Sequence, residues 1–461
     1  MNKQQDMTTG MPWKQILLFA VPLFIGNVFQ MLYNMVDAVV VGRFVGIQAL
    51  AAVGASGPSY MLIISLVNGF CSGASVVIAQ IFGSGDSLMI RKAYFTSCKV
   101  LLLIGIVFSV IGLAFCGFIL KLLGTPNDVY PDSHLYVMIM SAGILATCLY
   151  NGMAAFLRSV GNSFVPLIAL VISSLANILL DLLFVLVFGM GVAGVAVATV
   201  LSQLLSGLYC FFYINQKMPQ LRFRADELVI EPEVAKEMVR VGLPATFSTV
   251  VVTVSTMFIQ AAVNQYGSTV VGAYTVGNKV ENVCFCLAFA IGMATGVFCG
   301  QNIGAGNEKR TIQGFKAGIV LSLIYSSVMA FLAIVFTDPL IAFFSNETEV
   351  FVIAAPLVRI TSAFGPVLGV VFVFQHFLRN VSDVRPTVVM SFAEVLSRGI
   401  LPFAFSAWLG YYGIWWATPV GWTLSMLIGL LRFLSGKWKG KVNIQKEQPH
   451  RDDLTIPDTI R

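Results

Sequence analysis

The chain has 461 residues, 57% hydrophobic and only 11% charged, with a mean hydropathy of +0.85. Soluble domains carry about 25% charged residues, so a water-soluble globule is excluded and a polytopic membrane protein is implied. The net charge of +6 does not mark a nucleic-acid binder, because the basic residues gather in short loops and at the C-terminus, where they set topology.

The first apolar run has no small-residue cleavage motif and is long enough to span, so no cleavable signal peptide is expected. The 8 cysteines all lie in apolar runs without metal-ligand spacing and read as small packing residues. No nucleophile–base constellation appears either, so neither an enzyme nor a cofactor is expected.

Twelve apolar segments follow in chain order, each long enough to cross a bilayer as a helix of about 20 residues. They run over 13–42, 49–81, 93–121, 133–157, 163–188, 192–214, 238–266, 270–300, 313–336, 350–378, 386–408 and 412–434. Lys3, Lys14, Arg91, Lys92, Arg158, Lys217, Lys309, Arg310, Arg379 and Arg385 mark alternate loops, and Lys437 to Lys446 mark the tail. The opposite loops carry acids such as Asp128, Asp132, Asp338 and Glu347. The positive-inside rule puts both termini in the cytoplasm of a multi-pass protein of the cytoplasmic membrane.

An internal repeat recurs at an offset near 220 residues. "AQIFGSGD" (79–86) is answered by "GQNIGAGN" (300–307), "FLRSVGNSFVP" (156–166) by "FLRNVSDVRP" (377–386), and "GVAGVAVAT" (191–199) by "GYYGIWWAT" (410–418). Each half therefore holds six helices, and an even number makes the two repeats parallel. The division is a cytoplasmic N-terminus over 1–12, a first lobe over 13–214, a linker over 215–236, a second lobe over 237–436 and a tail over 437–461. The glycine turns GSGD and GAGN lack the Lys-Ser/Thr of a P-loop and follow no strand, so they read as helix C-caps.

The first segment carries an acid, Asp37, inside "NMVDAVVVG". Asn27, Gln30, Asn34 and Asp37 share one helical face, which must meet protein or a wet cavity. The fifth segment repeats the device with Ser174, Asn177 and Asp181, and the sixth offers Thr199, Ser202 or Gln203, and Ser206. Counted from the outer helix ends, Asp37, Asp181 and Thr199 all lie about 8–11 Å deep. A buried carboxylate costs about 2.5–3.5 kcal/mol near mid-membrane, so two at one depth point to a site for a proton or Na⁺. They would titrate as a unit.

The second half does not duplicate this pocket, since Phe258 or Ile259 answers Asp37 and Pro402 answers Asp181. It offers instead Glu281 with Asn278 on its face, and Glu394 one turn before Arg398. Glu394 and Arg398 are expected to form an internal ion pair. Glu281 is left between pairing with Lys279 or Arg398 and meeting a cationic substrate. Thr249, Thr253, Thr256 and Gln260 stripe the seventh segment as packing hydroxyls or cleft lining.

These motifs together resemble the multidrug and toxic compound extrusion (MATE) transporters over residues 12 to 436. The resemblance rests on "MVDAVVVGRFVG", "NILLDLLF", "GVAGVAVAT" and the repeated motifs above. It implies an all-α fold of two six-helix lobes enclosing a V-shaped cleft. It also implies export of organic cations or amphiphiles by alternating access, in exchange for H⁺ or Na⁺. In one branch the cation site falls on Asp37, Asn177, Asp181 and Thr199. A second branch uses a glutamate and an aspartate of the second lobe; the seventh segment here offers only Gln260 and the tenth no carboxylate. A third pattern, a mid-lobe glutamate, is matched by Glu281.

Gln30, Asn34, Gln260, Asn278 and Glu281 are thus the candidates for the substrate cleft, and a monomer in the lipid bilayer is expected. The alternative is a lipid-linked precursor flippase, which would need a cationic cleft. For that, Lys279 and Arg398, with Arg359 near a helix end, are the candidates, and acids match them.

Overall fold

The computed structural model describes residues 6–122, 124–222, 230–345 and 347–441. The charged linker run over 223–229 and the tail beyond 441 lie outside the described residues, as does the side chain of Asn34. The first half contains α1 (Pro12–Val40), α2 (Ile47–Ser84), α3 (Ser87–Leu122), α4 (Tyr130–Ala142), α5 (Ile144–Ser159), α6 (Phe164–Leu182) and α7 (Gly191–Lys217). The second contains α8 (Pro232–Asn264), α9 (Ser268–Gly304), α10 (Glu308–Val335), the short α11 (Thr337–Ala342), α12 (Thr348–Ala363), α13 (Gly365–Asn380), α14 (Val384–Leu409) and α15 (Tyr411–Leu434).

Ten helices are long and apolar enough to span a membrane, or twelve when the bent pairs α4–α5 and α12–α13 each count as one span. The bends, 48° and 51°, fall at Gly143 and Phe364, equivalent places in the two repeats. The fold is therefore an all-α polytopic bundle in two halves. No strand occurs among the described residues.

The glycine turns close as their sequence implies. Gly85 and Gly306 take left-handed φ of 77° and 73° after α2 and α9, where glycine carries no steric cost. Asp86 then accepts from Met89 N, and Asn307 from Arg310 N, both at 2.9 Å, capping the next helix.

The first two helices of each half cross into the other: α2 packs along α8 and α9, and α1 along α9 and α10. Ile16, Phe19 and Ala20 of α1 join the core of the second half. Apolar residues do not declare which half they pack on, and the sequence-based division put all of α1 in the first lobe.

The halves are tied at one end. Gln80 Nε2 donates to Asn380 O at 2.8 Å, and its repeat equivalent Gln301 Nε2 donates to Ser159 O at 2.8 Å. Gly83 and Gly304 make the backbones touch there, since a Cβ on either would meet the carbonyl of Gln301 or Gln80. Gln80 also reaches Ser382 Oγ at 2.9 Å. Ser382 holds φ 60°, where the other repeat has Gly161 at 84°. That conformation is unfavourable for a residue with a Cβ, but only a side chain supplies the hydroxyl. Among the described residues, every hydrogen bond between the halves lies from Ser65–Thr253 toward this sealed end.

Candidate functional site

Beyond Phe24, α1 leaves the core of the second half and runs along α6. There Leu167 and Leu170 of α6 pack beside Gly26. The face carrying Ser174, Asn177 and Asp181 on α6 is buried. Wider π turns follow both acids, Val41–Val45 after Asp37 and Leu183–Val187 after Asp181, and the two turns touch. Such turns relax the regular ladder and often mark functional positions.

Asp37 and Asp181 stand within hydrogen-bonding range of one another. In the amide orientation its neighbours dictate, Asn177 donates to Asp37 Oδ1 at 2.8 Å and to Asp181 Oδ2 at 3.2 Å. Asn177 and Asp181 are fully buried, and Asp181 Oδ1 meets no hydrogen-bond partner in its resting geometry. Thr199, also buried, faces the Tyr33 hydroxyl, which in turn faces Asp37. The three residues grouped by depth, Asp37, Asp181 and Thr199, are thus brought together, with Asn177 between the acids. Two bare carboxylates at this range repel one another.

Sequence reasoning missed the phenols. Tyr33 lies one turn before Asp37 on the same face, and Tyr136 and Tyr60 stand behind it. Tyr60 accepts from Gln203 at 3.4 Å, and Gln203 also pairs with Thr147. The i,i+4 spacing from Tyr33 to Asp37 was the available signal, hidden because an aromatic side chain reads as apolar lining.

A cavity of about 640 Å³ lies between the halves, lined by residues of both. Gln30 and Asn27 of α1, Glu281 of α9 and Glu394 of α14 line it. Asp37 does not; it lies seven residues beyond Gln30 on α1, about 10 Å along the axis. Thr249 and Thr253 of the α8 stripe reach the cavity. Gln260 turns away to Asn264 Oδ1 at 2.8 Å, and Asn278 packs by Tyr274. Neither borders the cavity.

The expected Glu394–Arg398 ion pair is not a direct contact. Glu394 Oε1 accepts from Gln375 at 3.0 Å and Ser425 at 3.4 Å, while Arg398 donates to Ser255 at 3.3 Å. The i,i+4 spacing gave proximity, but hydroxyl and amide partners on neighbouring helices met the carboxylate first. The cavity cations also differ from expectation. Lys279 sits over Phe344, and Arg359 approaches Asp338 at 3.7 Å. Arg158 and Arg379, read from sequence as loop charges, line the cavity beside Arg398.

Two parallel halves around a central cavity, with no sheet among the described residues and a buried acid pair in one half, define a membrane transporter. The chain belongs to the MatE family, whose model matches residues 22–183 and 244–403. Members of this family are characteristically cation-coupled antiporters that export drugs and organic cations; they are transporters, not enzymes. Among relatives, the chain is 32% identical to the probable multidrug resistance protein YoeA of Bacillus subtilis (strain 168), over 93% of this chain and 95% of that one. It is 30% identical to the probable multidrug resistance protein YpnP of the same strain, over 95% and 98%. Among solved structures, an outward-facing multidrug resistance MATE transporter of the MOP superfamily superposes with a TM-score of 0.87. That likeness covers 95% of this chain and 99% of the other at 21% identity, and it concerns the fold.

Proposed function

We propose that the protein exports organic cations or amphiphiles from the central cavity in exchange for H⁺ or Na⁺ bound at Asp37, Asn177, Asp181 and Thr199. The observation that carries this reading is the shared contact of Asp37, Asn177 and Asp181 inside the first half. Asn177 orients one oxygen of each acid, and Asp181 Oδ1 keeps an open lone pair. A proton on the pair removes the repulsion with Asn177 donating to both acids; Na⁺ shared with the Asn177 and Thr199 oxygens also removes it, once the Asn177 amide has turned over. This is the branch with its cation site in the first lobe.

Coupling runs through α1. One helix carries Asp37 at one site, Gln30 and Asn27 at the cavity, and Ile16 and Phe19 in the core of the second half. Neutralising the acids lets α1 repack, which narrows the cavity and lowers substrate affinity. Substrate must then disfavour the cation by the same free energy. The cavity and the acid site are each complete within one chain, which supports a monomer. Arg91, Lys92, Lys309 and Arg310 flank the sealed end, which supports its cytoplasmic placement.

Proteoliposomes with an imposed pH or Na⁺ gradient, read by ethidium fluorescence, test the reading. Gradient-driven transport by wild type is expected, with loss in Asp37→Asn and in Asp181→Asn. Transport that persists in both variants would reject the site. Absence of cation transport with flipping of a lipid precursor would favour the flippase.

A further inference from the structure

The cavity floor carries a feature that cation export does not use. Arg158 and Arg379 occupy equivalent places in the repeats "FLRS" and "FLRN", one in each half, and both face the cavity. Each precedes a residue whose carbonyl takes a sealing glutamine, Ser159 or Asn380, so both are pinned beside the seal. They reach one stretch of α2: Arg379 donates to Ser72 Oγ at 3.0 Å, and Arg158 lies by Cys71.

Neither guanidinium has a carboxylate partner among the described residues. Arg379 Nε is buried without an acceptor. Arg158 makes no hydrogen bond or ion pair among the described residues; Tyr150, Cys71 and Cys210 surround it. The cavity's two acids are committed elsewhere. Glu394 is held by Gln375, one turn above Arg379, and Glu281 faces Arg398 farther toward the open end. Guanidinium groups away from bulk water are costly unless matched, and their planar fork fits a carboxylate or phosphate. The cavity is therefore polar in sign, cationic at its floor and acidic above.

We propose that the floor is an oxyanion subsite, where Arg158 and Arg379 together hold the carboxylate or phosphate of a zwitterionic amphiphile whose cationic centre lies above, toward Glu394 and Glu281. This names a substrate class for the export reading and rests on it for transport, though not for binding. A bound oxyanion would bridge the two halves beside their seal.

A matched pair of dyes tests it by fluorescence anisotropy on the purified full-length protein. Rhodamine 110 is a zwitterion, and rhodamine 123 is its methyl ester, a cation of the same shape. Both should bind wild type. In R158Q/R379Q, affinity for rhodamine 110 should fall about ten-fold or more, while rhodamine 123 binds no more weakly. R158K/R379K, which keeps the charges, should recover part of the loss; if the glutamine pair does not fold, the single variants carry the same expectation.

Equal weakening of both dyes, no change for rhodamine 110, or failure of rhodamine 110 to bind wild type would each overturn the proposal. Dihexanoyl phosphatidylcholine below its micelle concentration distinguishes the oxyanion source. Competition with rhodamine 110 extends the subsite to phosphate headgroups, and lack of competition confines it to carboxylates; both keep it. Failure of the antiporter reading appears separately, as absent gradient-driven rhodamine 123 transport with the dye-binding pattern intact.

Discussion

Gly304→Ala should open the sealed end without unfolding the protein. A Cβ at position 304 would stand 2.0 Å from the carbonyl oxygen of Gln80. That atom is backbone and cannot turn aside, so α9 and α2 must part by about 1.4 Å to reach an ordinary contact of 3.4 Å. The two flanking glutamine bonds, both 2.8 Å, are then stretched beyond useful range. Overpacking costs about 1–3 kcal/mol and each lost bond about 1 kcal/mol. The sealed state thus loses on the order of 3–5 kcal/mol, a roughly 150- to 5,000-fold change in the ratio of sealed to opened molecules.

Within the helix itself alanine is favoured over glycine by about 1 kcal/mol, so the fold should survive. Spin labels at Leu88 and Lys309, exposed on opposite halves at this end, read the separation once the 8 free cysteines have been replaced. The expected distance distribution moves to a longer population in Gly304→Ala. It should not move in Gly54→Ala, where a Cβ meets nothing within 4 Å. A wild-type distribution with wild-type melting in Gly304→Ala would refute the packing argument.

Tyr33→Phe removes the hydroxyl that faces Asp37 and Thr199, and should raise the half-saturating H⁺ or Na⁺ concentration for transport about 3- to 10-fold. Glu394→Gln keeps an acceptor for Gln375 but removes a cavity charge; ethidium affinity, measured by fluorescence titration, should fall about ten-fold, the scale of one charged hydrogen bond. Arg310→Ala releases the carbonyls of Met7, Thr9 and Gly10, which strap the N-terminal segment to the second half. The loss should be about 2 kcal/mol, seen as a lower melting midpoint by tryptophan fluorescence.

The spans were legible because a bilayer imposes one length and one polarity on every crossing. The acid site was legible because charge is rare there: Asp37, Asn177 and Asp181 stood out against Val and Leu at a common depth. What stayed hidden needs partners for its definition. The bends at Gly143 and Phe364 follow from how neighbours pack, and a Cβ at Gly143 would strike Val200. The π turns after Asp37 and Asp181 leave no mark in composition. Arg158 and Arg379 read as loop charges by position in the chain, yet the ends of α5 and α13 sit at the floor of a cavity that exists only once the halves meet. Glu394 and Arg398 had the spacing of a pair, but Gln375 and Ser255 on other helices took their bonds.

The central claim is that the Asp37–Asn177–Asp181 cluster and the central cavity compete through α1. Ethidium affinity of the solubilised protein, titrated against pH and against Na⁺ in wild type and in the Asp37→Asn, Asp181→Asn double variant, measures that competition directly. Wild type should bind the dye more weakly as H⁺ or Na⁺ is loaded, and the double variant should bind it with one affinity throughout. A double variant that responds to the cation as wild type does would contradict the account.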